Sequence, residues 1–346
     1  MKPRKVTVCG TDFFGYIESV GAAFRRQGLQ ADVIAYPNWR FGWRSVPSRL
    51  GLGNYEKHLR RRIITRVIRS ASHSDFVLLF RGDLFAPQDL ERIRVETGRP
   101  VVFWLIDALD RMREGLELCR QAAFVFCYSM GDVSRLRRCG VAASFLPLAF
   151  DREAYVRDQS AKKDIDIYFV GNLNAGRGDY LEGLLAQFVD TTHVVKVDAR
   201  WYSWRDPLAA IEARRRYPKI SGYCQNRYVT HAQINRSTNR AKVNLNLVPF
   251  QPEVSMNIRT YEICGAGGFQ LVYRADVLRE VFVEGREVEA YGDAAELASK
   301  LRFYLDERNS PAREAIARNG YERARASHTF DTRAEEILSM VASRDR

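Results

Sequence analysis

The feature that most limits what this 346-residue chain can become is a series of short apolar runs, rich in β-branched and aromatic residues, that occurs twice. The first half carries KVTVCG, ADVIAY, DFVLLF, PVVFWLID, AFVFCYS and ASFLPL, with a helical pattern from Tyr16 to Gln27, closed by Gly28, between the first two. Strands covered on both faces read as continuous apolar runs, and the segments between these runs are amphipathic. The expectation is a parallel sheet with helices on both faces. A polar stretch, DREAYVRDQSAKK, then breaks the pattern. The series restarts with DIDIYFVG, HVVKVD, KISGYC, KVNLNLVP and GGFQLVY, and helices are expected from Asp179 to Phe188, Thr230 to Arg240 and Ile258 to Gly265.

Two Rossmann-like α/β domains follow, with a helical C-terminal tail that begins at Ala294. The expected division is 1–155 for the first domain, 156–325 for the second, and a last helix over 326–346 that packs back across the domains. A chain of this length suits two domains of ordinary size. In doubly wound sheets ligands bind outside the carboxyl ends of the strands, so the chemistry is sought there.

Charge narrows the partners. The formal net charge is +12, and residues 1–150 hold 24 Lys+Arg against 14 Asp+Glu, so +10 of it lies in the first half. A nucleic-acid-binding protein is the least favoured reading, because no helix-turn-helix or RRM signature accompanies the charge. In the basic segment 39–69, Leu59, Ile63, Ile64, Val67 and Ile68 share one helical face, while Lys57, Arg60, Arg61 and Arg69 lie largely opposite. Such a helix either packs on the sheet with its charged face solvated or lies on an anionic membrane. No run is long and apolar enough to cross a bilayer, and the N-terminus enters a strand directly, so the expected location is cytoplasmic, peripheral to the inner face of the membrane at most. The six cysteines form no C-x-x-C pair and read as buried thiols, with no metal site expected.

Four pieces of the second half, FVGNLNAGRGDYLEGL, GYCQNRYVTHAQINRSTNRAKVNLNLVP, NIRTYEICGAGGFQLV and HTFDTRAEEIL, together resemble the CgeB-type, spore-maturation-like glycosyltransferases. Asn257, Arg259, Glu262, Gly265 and Gly268 are the most specific part of the match. The resemblance implies a GT-B fold, two facing Rossmann-like domains, and sugar transfer from a nucleotide-diphosphate donor (a UDP-, GDP- or dTDP-sugar) to an acceptor hydroxyl on a glycan, lipid-linked saccharide or protein. It implies no cofactor and no obligatory metal. The alternative is a catalytically silent GT-B scaffold that binds a nucleotide.

A diphosphate needs fixed cations and helix N–H groups, which meet developing negative charge without reorganising. Ser255 and Asn257 are candidate caps for the helix expected from Ile258. Arg259 is a candidate cation, and its replacement by Ala is expected to stop turnover with the fold intact. By resemblance, Glu262 takes the ribose hydroxyls. The bland reading pairs it with Arg259 across one helical turn. Also by resemblance, Arg177 follows the glycine-rich turn around Gly171 and Asn172 and meets the diphosphate, and Tyr223, at the end of KISGYC, stacks on the base. Glu253 is a candidate sugar contact, although its distance from Glu262 is one residue longer than the Glu-x7-Glu of related retaining enzymes.

In the first half Asp107, at the end of PVVFWLID, is a candidate general base, with helix capping as its structural counterpart. Gly10, Thr11 and Asp12 are expected to form a strand-to-helix turn that touches the acceptor. Gly10-x4-Gly15 is not the dinucleotide fingerprint. Asp164-Ile165-Asp166 spells D-x-D but opens a strand, and it is read as structural.

Overall fold

The computed structural model describes residues 3–37, 54–173, 175–188, 193–200, 207–224, 229–247 and 255–344. Glu253 and the aromatic, arginine-rich stretch 39–53 lie outside them. The chain divides into two compact units: residues 1–148 with 330–346, and residues 149–329.

The first unit holds six parallel strands, β1 (Lys5–Asp12), β2 (Gln30–Pro37), β3 (Phe76–Phe80), β4 (Val101–Leu105), β5 (Phe124–Cys127) and β6 (Ala143–Phe145), in the order β2-β1-β3-β4-β5-β6. Helices α1 (Tyr16–Arg26), α2 (Asn54–Ala71), α3 (Pro87–Thr97), α4 (Gly115–Gln121) and α5 (Met130–Arg138) make the crossovers that parallel pairing requires. Every residue of β3 and β4 is buried, which is why FVLLF and VVFWL show no alternation.

In the second unit β7 (Ile165–Asn172), β8 (Val195–Arg200), β9 (Ala241–Asn246), β10 (Gln270–Tyr273) and β11 (Glu289–Tyr291) form a second parallel sheet, in the order β11-β10-β9-β7-β8. Its helices are α6 (Ala175–Leu185), α7 (Pro207–Arg216), α8 (Pro218–Tyr223), α9 (His231–Arg240), α10 (Ile258–Gly265), α11 (Leu278–Val281), α12 (Ala294–Leu305) and α13 (Ser310–Ser327). The last helix, α14 (Phe330–Arg344), belongs to the first unit, where Arg26 clamps Asp331 with two hydrogen bonds of 2.6 and 2.9 Å. Its buried Arg333 donates to the carbonyls of Pro147 (2.8 Å) and Leu148 (3.3 Å).

Two sequence expectations are corrected. KISGYC is not a strand: Pro218 sits in the first turn of α8, and the Glu182 carboxylate accepts from the amides of Lys219 (2.7 Å) and Ile220 (2.9 Å), so a helix start forms there. Gly10, Thr11 and Asp12 are not a turn. They continue β1, paired to β2 as far as Asp12 opposite Pro37, and a Cβ on Gly10 would lie 2.3 Å from the Phe80 carbonyl oxygen. Of the two readings of the basic helix, packing on the sheet is the one observed: Ile63, Ile64, Val67 and Ala71 of α2 are core residues, and Leu59 and Ile68 pack against them. Elsewhere, the six cysteines are free thiols, and burial pushes those of Cys119 and Cys264 up to about 12. Asp164 and Asp166 stand at the amino end of β7, paired with Arg240 and Lys242, as a structural D-x-D.

Candidate functional site

The carboxyl ends of β7, β9 and β11 frame the second unit's candidate site, with α10 as its centre. Asn257 caps α10: its Oδ1 accepts from the Thr260 amide (3.1 Å) while its Nδ2 donates to Oδ1 of Asn246 at the end of β9 (2.8 Å). Asn246 in turn donates to Thr260 Oγ1 (2.9 Å) and Gln270 Oε1 (3.1 Å), so the helix start is fixed to two strands. Of the two candidate caps, then, Asn257 is the one used. Ser255 is buried, and its Oγ has no hydrogen-bond partner among the described residues. A buried hydroxyl without a partner forfeits about 1–3 kcal/mol relative to a satisfied one. It stands two residues before a helix N-terminus, where backbone N–H groups and the helix dipole favour an anion.

One turn into α10, the Glu262 carboxylate is 1% exposed and ion-paired with Arg259. Arg259 also donates to the Tyr155 hydroxyl (3.1 Å), which lies 2.7 Å from His231 Nδ1. His231 Nδ1 is 4.0 Å from the other Glu262 oxygen. Arg259 thus neutralises a buried charge, and breaking such a pair by removing one partner costs about 3–5 kcal/mol. The expectation that Arg259→Ala leaves the fold intact is therefore corrected. Tyr155 and His231 join this network from 104 residues before Arg259 and from the first position of α9, and no local pattern in the sequence announces them.

Arg177 lies in the first turn of α6, just after the glycine-rich turn, and its Nη1 donates to the Asn172 carbonyl at the end of β7 (3.0 Å). Burial pulls its pKa down, with the nearby Tyr291 opposing. Tyr291 ends β11, stacks on Tyr180 at 6.2 Å and donates to the Asn246 carbonyl (3.4 Å). Asn246 thereby joins the Arg177 group to the Asn257 cap. Gly171 is part of β7, and Asn172, its last residue, is exposed. Tyr223 is half-buried at the end of α8, packed against the second core. Gly265 marks a close approach: a Cβ there would come within 2.3 Å of the buried Phe150 ring. Gly268 likewise faces Thr238 and Asn244.

The carboxyl edge of the first sheet is different. Asp83, which the sequence reading missed, accepts from the Thr11 hydroxyl and from Tyr36 OH (3.0 Å). Burial and this carboxylate hold the Tyr36 hydroxyl well above its ordinary pKa. Arg81 has φ 73°, a conformation rarely adopted outside glycine, and Gly82 beside it has φ 67°. Its guanidinium lies 3.7 Å from Asp83, 3.8 Å from Asp107 and 5.2 Å from the centre of the Phe13 ring. Asp107 lies two residues past the end of β4, where it accepts from Arg111 Nη1 (3.1 Å) and the Ala108 amide (3.0 Å). Thr11 is spent on Asp83, while Asp12 is exposed.

Two doubly wound parallel sheets with a helical C-terminal region are the GT-B architecture. The chain belongs to the glycosyl transferase-like family, whose model matches residues 161–339, more than half of its length. Its fold is similar to that of Anabaena Alr3699/HepE, solved in complex with UDP and glucose (TM-score 0.67, 15% identity, 97% of this chain and 99% of that one covered). It is similar also to sucrose-phosphate synthase from Thermosynechococcus elongatus (TM-score 0.68, 12% identity, 98% of each chain). A third likeness is to the lipopolysaccharide outer core galactosyltransferase WaaB (TM-score 0.57, 13% identity, 93% of this chain and 99% of that one). No curated protein sequence matches the chain.

Proposed function

We propose that the protein transfers a sugar from a nucleotide-diphosphate donor to an acceptor hydroxyl, with the donor held at the start of α10. The observation that carries this reading is the buried Ser255 hydroxyl without a partner, two residues before an N-capped helix and in the same unit as Arg259 and Arg177. A diphosphate would satisfy the hydroxyl, the helix N–H groups and the cations together. Alr3699/HepE with UDP and glucose and a trehalose-6-phosphate enzyme with UDP-2-fluoro glucose share the fold, which favours a uridine nucleotide.

In this reading Arg259, Arg177, Ser255 and the α10 start bind the diphosphate and stabilise its departing charge, so the protein's own cations do the work a metal would otherwise do. Glu262 meets the ribose, in exchange for part of its contact with Arg259. Glu253 touches the sugar, and Tyr223 the base. Asp107 orients the acceptor hydroxyl or takes its proton, beside Gly10, Thr11 and Asp12. The acceptor is a glycan, a lipid-linked saccharide or a protein, reached from the cytoplasm at the inner face of the membrane.

The test is release of UDP from UDP-sugars by purified protein, with and without saccharide acceptors. Turnover that falls at least a hundredfold in Arg177→Ala supports the assignment, since losing one preorganised donor has that scale of effect. A rival reading, a nucleotide-binding scaffold without catalysis, draws on the burial of Glu262 against Arg259. UDP binding with no hydrolysis or transfer across the sugar panel would select it.

A further inference from the structure

The described surface carries one strongly charged face that the donor chemistry does not use. Residues 57–69 of α2 include six Lys and Arg and no Asp or Glu. The apolar side of the helix is buried in the first core, and Lys57, His58, Arg61, Arg62, Arg66 and Arg69 are exposed on the other. Arg60 is spoken for, 3.4 Å from Asp89 of α3. The other five Lys and Arg have no carboxylate partner among the described residues. The neighbouring α3 exposes Arg92 and Arg94 with Glu91 and Glu96, a balanced set that leaves the charge of α2 uncancelled. At 1.5 Å per residue the face runs for about 18 Å along a rigid, packed helix.

We infer that this face of α2 docks the protein on an anionic lipid bilayer by charge alone, without inserting. The inference gives residues and a mode to the membrane placement proposed with the function, on which it rests. Insertion of an amphipathic helix needs a free apolar face, and α2 has spent its own on the sheet. Attraction between basic side chains and anionic headgroups needs none. Headgroups have no fixed spacing, so a straight row of cations suffices. A single-stranded nucleic acid would call for base-stacking aromatics along the track, and the exposed face of α2 offers none.

The experiment sediments the full chain with vesicles of phosphatidylcholine alone and of phosphatidylcholine mixed with phosphatidylglycerol, at low and high salt. Binding is expected only to the anionic vesicles and is expected to vanish at high salt, where the Debye length falls to about 3 Å. Each cation contributes roughly fivefold to partitioning near such a surface. Arg61→Glu with Arg62→Glu, and the quadruple variant that adds Arg66→Glu and Arg69→Glu, should therefore lose binding stepwise while melting at the wild-type temperature. Wild-type protein that stays in the supernatant overturns the inference. So does a quadruple variant that binds as before, or tighter wild-type binding to duplex DNA than to anionic vesicles at equal ionic strength. UDP binding by the same variants is expected to be unchanged, so a failure here leaves the donor reading standing.

Discussion

The two sheets are built alike and end differently. At the carboxyl edge of the second, a capped helix start, a buried hydroxyl without a partner and two arginines are gathered within one unit, with Asn246 tying the cap to the Arg177 group. At the carboxyl edge of the first, Arg81 stands between Asp83 and Asp107, and Arg111 meets Asp107, so two cations face two carboxylates. An edge with surplus donors and cations suits a diphosphate. A charge-balanced edge beside an aromatic ring suits neutral hydroxyls. The doubly wound sheet supplies the place for a ligand, and a few residues beyond the strand ends decide its chemistry.

The contrast is broken most severely at Arg259. Arg259→Ala is expected to lose at least a hundredfold in transfer and, because Glu262 is left buried and unpaired, about 3–5 kcal/mol of stability. The double replacement Arg259→Met with Glu262→Met should recover much of the melting temperature and none of the transfer. Equal activity in the double variant would remove both residues from the chemistry. Gly265→Ala comes next, at about 1–3 kcal/mol from the clash with Phe150, read by denaturant unfolding. At the first sheet Arg81→Gly should relax the strained backbone by up to about 1 kcal/mol while it weakens acceptor use, seen as a raised acceptor KM with donor hydrolysis unchanged. If donor hydrolysis falls as much as transfer does, the division of labour between the two edges is wrong.

The smallest effect is an acid one. Arg274 holds the carboxyls of Glu284 and Glu296 below their ordinary value by direct hydrogen bonds. Their folded-state pKa values are depressed, so their contribution is present above the unfolded value of 4.5 and is lost as pH falls below it. The melting temperature of wild type should drop more steeply below that pH than that of Arg274→Ala.

Much of the architecture was legible because burial on both faces leaves a plain trace: FVLLF and VVFWL can hardly be anything but interior strands. Asn257 as a cap and α10 from Ile258 to Gly265 were legible for the same local reason, a capping side chain set ahead of a helix. KISGYC was misread because what turns it into a helix is Glu182, a carboxylate far away in sequence. Thr11 and Asp12 looked like a turn because pairing with β2, which prolongs the strand as far as Asp12, does not show in the strand itself. Tyr155 and His231 meet only through the fold, 76 residues apart. The left-handed backbone at Arg81 is set by its surroundings, not by its residue type.

The central claim is that the start of α10 is a diphosphate site. Calorimetric titration of UDP into wild type and Ser255→Ala tests it most directly, since removing a buried hydroxyl without a partner should leave the melting temperature equal or higher. Wild type is expected to bind UDP, and Ser255→Ala to bind it about tenfold more weakly, the scale of one charge-assisted hydrogen bond. Equal affinity in the two proteins, or no UDP binding by wild type, would contradict the claim.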